Sequence, residues 1–243
     1  MVDPPRDNTT GSIERDSERW LLAIDTSTDQ AGIALTDGER VAELGWSAGR
    51  TQTVTVLPEI ERMLRTAGID RRMLGAVAVA TGPGTFTGLR VGLSLAKGLV
   101  IALDVALLGV PTLDIAAAPY AAAGTSVVVA LAAGRSRIVW ASYGPTAGEF
   151  GRHHGPVNTR IDDLAAWLRD RPDLLVTGEL DPAARSVLLA AGHRRIEDML
   201  LSRRRPAALA AIAWRRWQTG DVDDSVTLEP FYLHAARPMS SHP

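Results

Sequence analysis

A chain of 243 residues, 46% of them hydrophobic, can bury a substantial core as one large domain or two small lobes. Its formal charge of −2 leaves no global electrostatic footprint for nucleic acid, and the absence of cysteine excludes disulfides, thiolate metal sites and cysteine nucleophiles. The apolar run Leu99–Val110, preceded by Lys97 and interrupted by Asp104, is too short to span a bilayer, so no membrane segment is expected.

Residues 1–19 are polar and mixed in charge, lack an apolar signal core and read as a disordered tail. Strands are expected at Leu21–Asp25 and Ala31–Thr36, then an Asp37-Gly38 hairpin turn and a third strand at Val41–Ser47. A helix follows over roughly Thr53–Ala67, with Val56, Ile60, Met63, Leu64 and Ala67 at helical spacing and Gly68 at its stop. Next come a strand at Ala76–Ala80, a glycine-rich turn opening a long helix, a strand at Val105–Val110 and an alanine-rich helix from Pro111.

The second half repeats this order in worn form. Val127–Leu131 and Ile138–Tyr143 read as a hairpin around Gly134, a third strand lies near Val157 and a helix covers Asp162–Arg169. Leu174–Thr177 reads as a buried strand, Pro182–Ala191 as a helix, and Pro206–Gln218 as a last helix stopped by Gly220. Two βββαβα units joined by the Gly/Pro-rich passage Gly144–Gly148 predict an α/β fold of two facing ribonuclease-H-like lobes. The lobes span 20–123 and 124–235, the second degenerate, with a flexible tail at 236–243.

The turn at Thr81–Gly88 looks like a phosphate loop, since glycines ahead of a helix leave N–H groups and the positive dipole end pointing at one spot. It misses both phosphate fingerprints. The lysine of a Walker loop is displaced to Lys97, three turns into the helix, and in the dinucleotide pattern Thr87 stands where the third glycine belongs. Within the helix, Gly88, Gly92 and Ala96 recur at i, i+4 and i+8, forming a groove for close backbone approach, either of the helix's own sheet or of a partner, and both can hold together. Leu89, Leu93 and Val100 line an apolar stripe beside it, and Arg90, Ser94 and Lys97 a narrow polar one. Lys97 is the single lysine of the chain.

Other clusters have plainer readings. Arg203-Arg204-Arg205, with Arg215-Arg216 and Trp214/Trp217, could touch RNA through charge and stacking, but reads more simply as a helix with a solvated basic face and a tryptophan anchored in the core. His153-His154 reads as a solvated pair in a polar linker, and Asp221, Asp223 and Asp224 as a polar loop.

Leu22-Ala-Ile-Asp25-Thr-Ser27, Gly82-Pro-Gly-Thr-Phe-Thr-Gly-Leu-Arg90-Val-Gly92 with Ala96-Lys-Gly98, and Glu229-Pro-Phe-Tyr232 resemble the TsaB/YeaZ family over about residues 20–235. That resemblance implies the actin/Hsp70/sugar-kinase-like (ASKHA) fold and a cytoplasmic role in making N6-threonylcarbamoyladenosine at position 37 of tRNA. It implies a non-catalytic scaffold that pairs with the paralogue TsaD, helps recruit TsaE, meets tRNA through the complex and forms a homodimer when TsaD is absent. ATP and metal are then expected on the partner subunits.

An ATPase of this fold holds phosphates and metal between two hairpins. Asp25, Thr26 and Ser27 read either as the relic of a phosphate site on one side or, for Asp25, more simply as the polar cap of a strand end, and Ala132-Ala-Gly-Arg-Ser136 offers no carboxylate on the other. The His-x-x-x-His pair of the catalytic paralogue is replaced by Pro111-Thr112-Leu-Asp114-Ile-Ala116, and His193, His234 and His242 have no metal-site spacing either. No catalytic or metal residue is therefore assigned. An autonomous small-molecule kinase using Asp25, or a homodimeric module unrelated to tRNA, are the competing readings. In the family the first two long helices form the pairing bundle, which carries the interface expectation to Leu57, Ile60, Glu61, Leu64, Gly88, Leu89, Arg90, Gly92, Leu93, Ala96 and Lys97. Gly92→Leu or Leu89→Asp is expected to break pairing and leave a folded monomer.

Overall fold

A computed structural model describes residues 19–49, 52–134, 137–146 and 148–233. The expected tails at 1–19 and 236–243 lie outside these residues except for Arg19, as do Arg135, Ser136, His234 and His242. In chain order the elements are β1 (Trp20–Asp25), β2 (Gln30–Thr36), β3 (Val41–Ser47), α1 (Gln52–Ala67), β4 (Leu74–Gly82), α2 (Phe86–Leu103), β5 (Ala106–Pro111) and α3 (Thr112–Ala117). There follow β6 (Val127–Ala132), β7 (Arg137–Thr146), β8 (Glu149–Arg160), α4 (Ile161–Leu168), β9 (Leu175–Thr177), α5 (Pro182–Ala190) and α6 (Pro206–Gln218).

The first sheet has the order β3-β2-β1-β4-β5, an antiparallel meander continued by two parallel strands. β1 and β4 are buried at every position because helices cover both faces, so their sequences are apolar throughout rather than alternating. On one face Leu22, Ile24, Val77 and Val79 join residues of α1 and α2. On the other, Ala23, Ala76, Ala78 and Ala80 leave room for Leu209, Ala210 and Ala213 of α6 to pack closely. α2 is long and apolar enough to cross a membrane, with a mean hydropathy of 1.5, but Leu89, Leu93, Ala96 and Val100 are buried in the fold.

The second sheet runs β8-β7-β6-β9, and β6 to α5 reproduce the expected βββαβα order with one strand fewer in the sheet. The duplicated ribonuclease-H-like architecture is thus present, its second copy reduced. The passage Gly144–Gly148 is not a joint between copies: Gly144, Pro145 and Thr146 pair with Gly151, Phe150 and Glu149 in the β7–β8 hairpin, and Ala147 lies outside the described residues. Nor is His153-His154 a linker pair, because both sit on β8. His154 packs on the rings of Trp140 and Trp167 at 5.1 and 5.6 Å. After α5 the chain returns to the first sheet through α6, and Phe231 donates its N–H to Thr81 O at 2.7 Å.

Candidate functional site

β1 ends at Asp25, and the residues after it fold back on their own carboxylate. Ser27 donates to Asp25 Oδ1 from both N–H (2.9 Å) and Oγ (2.6 Å), and Thr26 Oγ1 donates to Gly88 O (2.7 Å). The glycine-rich loop rests directly on this turn. Thr85 N donates to Ser27 O at 2.6 Å, and a Cβ on Gly84 would collide with that same oxygen. Two of the N–H groups that a phosphate loop would present are turned inward, Thr85 N to Ser27 O and Gly88 N to Thr85 Oγ1 (3.2 Å), the N-cap of α2. The loop is thus a helix cap seated on a strand end.

Arg204, whose side chain is 1% exposed, stands against Asp25 and leaves beside the pair a cavity of only about 90 Å³, lined also by Gln30 and Arg203. Its Nε donates to Asp25 Oδ2 at 2.8 Å, Nη2 to Thr28 Oγ1 at 2.9 Å, and Nη1 to Glu179 Oε1. Asp25 and Thr28 belong to the first lobe and Glu179 follows β9 of the second, so one guanidinium ties the lobes together. Burial pushes the Asp25 carboxyl up, but the Arg204 charge and hydrogen bonds, aided by Ser27, outweigh it and hold the group below the usual carboxylate range. Burial alone would depress Arg204; Asp25 and Glu179 keep it raised and charged. These residues do not fit a nucleotide–metal centre. Asp25 is saturated by its own chain, and no group of three or more His, Asp or Glu able to hold a metal occurs among the described residues.

Arg204 corrects the reading of 203–205 as a solvated basic face. A run of arginines directly before Pro206 sits at the positive end of the α6 dipole and needs carboxylate partners. Two of the three have them, Arg204 as above and Arg205 with Glu43 at 2.5 Å, while Arg203 donates to Gln30 and Ser47; Glu43 Oε2 also accepts from Ala207 N at 3.0 Å, capping α6. Asp223 is likewise more than a polar loop residue. It accepts from Gly109 N at 2.7 Å and from Arg216 at 3.2 Å, closing the β5 edge.

The expected interface residues separate into two groups. Leu57, Ile60, Glu61 and Leu64 of α1 come together with Leu99, Ala102 and Leu103 of α2 around a groove of about 540 Å³. Leu57 is 42% exposed, and Ile101 on α2 is 76% exposed. Gly88, Leu89, Gly92, Leu93 and Ala96 instead face inward. A Cβ on Gly92 would strike Thr26 Oγ1, so the small-residue stripe seats α2 on its own sheet. Gly92→Leu and Leu89→Asp would consequently disrupt the subunit itself. Arg90 and Lys97 lie along the C-terminal segment: Arg90 stacks over Phe86 at 3.7 Å and donates to Tyr232 Oη at 3.2 Å, while Lys97 Nζ lies 3.5 Å from Val226 O.

The family described as TsaD, tRNA N6-adenosine threonylcarbamoyltransferase, matches residues 46–171. The tRNA threonylcarbamoyladenosine biosynthesis protein TsaB of Escherichia coli (strain K12) is 34% identical over 125 residues, covering 51% of this chain and 54% of that protein. Its namesake in Bacillus subtilis (strain 168) is 36% identical over 99 residues, 40% of this chain and 43% of that protein. The chain spans about half the length of the curated relatives it matches. The solved structure of YeaZ from Pseudomonas aeruginosa superposes with a TM-score of 0.74 at 24% identity, covering 88% of this chain and 100% of that one, which shows a shared fold.

Proposed function

This chain belongs to the family of the tRNA N6-adenosine threonylcarbamoyltransferase, on its TsaB/YeaZ branch, and from that premise we propose that it is a non-catalytic scaffold in tRNA N6-threonylcarbamoyladenosine synthesis. The observation that carries the non-catalytic part is Arg204. Its guanidinium stands among Asp25, Thr28 and Glu179, where the two lobes meet, and its charge balances the carboxylates that a kinase of this fold would turn toward metal.

The scaffold's work is binding. The α1/α2 groove presents Leu57, Leu64 and Leu99, an apolar seat for a helix pair of a TsaD-type transferase. Pairing energy shifts that partner toward its productive conformation, while ATP and metal reside on the partner subunits. In the same reading the pair recruits TsaE, tRNA is met through the complex, the groove closes on a second copy when the transferase is absent, and the assembly is cytoplasmic.

Reconstitution tests the proposal. TsaD, TsaE, tRNA, threonine, bicarbonate, ATP and the adenylate-forming enzyme are combined with and without this chain. The modified base is expected only in the complete mixture, and equal yield without the chain refutes the scaffold role. Titration of the isolated chain with MgATP is expected to give no saturable heat; tight binding would instead support the kinase reading.

A further inference from the structure

The face of the first sheet opposite α1 and α2 carries a larger opening that the scaffold role above does not use. It measures about 940 Å³ and lies between α6 and the segment Asp114–Ala122, which comprises most of α3 and the turn after it. Arg205, Ala208, Ile212 and Arg215 recur along one side of α6, and Ala118 and Ala121 face them across the gap. Alanines make up much of both walls, with Ile212 and Pro119 between them and Arg205 and Arg215 at the ends of the α6 side, so the opening is a trough between two helical segments whose own side chains do not fill it.

The charge around this trough is lopsided. Arg152, Arg205 and Arg215 line it against a single carboxylate, Asp114. Asp114 is fully engaged: Tyr143 Oη donates to it at 2.6 Å and Arg152 Nη2 at 3.0 and 3.2 Å, which makes one end wall rigid. Arg205 is steadied by Glu43 with its side chain still 63% exposed. Arg215 is exposed and forms no ion pair among the described residues.

We propose that this trough docks an acidic amphipathic helix of a second protein partner. The groove recognises such a segment by two features at once. An apolar stripe meets the alanine walls, and carboxylates meet Arg205 and Arg215, which stand ten positions apart on one helix, about 15 Å at 1.5 Å per residue. The partner helix therefore carries acidic residues about ten positions apart on the edge of its stripe. RNA fits less well, because, of the two aromatic rings lining the trough, Tyr143 is only 4% exposed and Phe150 is half-buried and already stacked on Tyr143. A second copy of this chain docking through the same trough would bring like charge against like. Because α1/α2 and α6 cover opposite faces of one sheet, both surfaces can be occupied together, making the subunit a two-sided adaptor.

The test places the photo-cross-linker p-benzoylphenylalanine at exposed Ala211 in the trough of the full chain, in living cells, with exposed Gln218 as the control position. The expected product is a peptide of another protein with an apolar stripe and carboxylates at the stated spacing. A synthetic copy of that peptide is expected to bind the purified chain, to lose at least about tenfold in affinity against Arg215→Glu, and to regain it when its facing carboxylate is changed to lysine. Four results overturn the proposal: cross-links to RNA alone, to residues 1–18 of the same chain alone, to a second copy alone, or none above the control. Unchanged affinity of Arg215→Glu overturns it as well. Leu57→Asp, on the opposite face, is expected to leave this binding intact, which separates it from the α1/α2 pairing.

Discussion

Arg204→Ala is the most informative single change, because it removes the partner of a carboxylate that the fold cannot hydrate. Asp25 is 4% exposed and would keep only its Ser27 hydrogen bonds. Breaking a buried pair from one side costs about 3–5 kcal/mol, since the charge left behind is uncompensated. For a chain of this size each kcal/mol is worth about 2–4 °C, so the melting temperature should fall by about 6–20 °C. The pH dependence carries a sign as well as a size. In the native chain the folded Asp25 carboxyl is depressed below its unfolded value of about 3.9, so its contribution is complete above that pH and is lost as pH falls through the folded pKa. Without Arg204, burial raises the folded pKa, and the contribution is instead lost as pH rises. Urea melts of both proteins at about pH 7 and about pH 4 should therefore show the gap narrowing in acid. The double variant Asp25→Asn with Arg204→Met, which removes both charges, should recover more than half of the loss. A single-variant cost below about 1 kcal/mol, or a gap that widens in acid, would refute the reasoning.

Leu57→Asp should leave stability within about 0.5 kcal/mol, as its side chain is 42% exposed, while abolishing pairing through α1/α2 in analytical ultracentrifugation. Gly92→Ala should cost about 1–3 kcal/mol in a thermal melt, because the new methyl meets Thr26 and α2 must lift from its sheet. Tyr143→Phe should cost about 1.5–3 kcal/mol in urea denaturation, having removed a hydrogen bond to charged Asp114. Burial, followed by the Asp114 charge, pushes the Tyr143 phenol strongly up, so no phenolate absorbance from it should appear in the native protein up to about pH 11. Asp223→Ala should cost about 1–3 kcal/mol by orphaning Gly109 N–H, and faster hydrogen exchange at Gly109 would report it.

Much of the fold and part of the site follow from local chemistry in the sequence. Apolar runs at β1 and β4, the Asp37-Gly38 turn and the capped start of α2 depend on residues close to one another in the chain, and their periodicity places them within a few residues of where they stand. The same locality makes the failed Walker spacing at Lys97 and the missing histidines after Pro111 readable by eye. The four α1 residues Leu57, Ile60, Glu61 and Leu64 share a groove because helical spacing alone puts them on one side.

What spacing cannot supply is which face of an element meets which neighbour. Gly88, Gly92 and Ala96 make a groove on any helix, but whether it receives another subunit or its own sheet depends on Thr26, 66 residues before Gly92 by sequence number and beside it in space. Arg204 is 179 residues from Asp25, and its burial rests on α6 returning from the second lobe to cover the first sheet. In the sequence it is one arginine in a run of three. Long-range closure turned that run into a clasp, because a guanidinium at the start of α6 could be buried only where carboxylates from both lobes surround it.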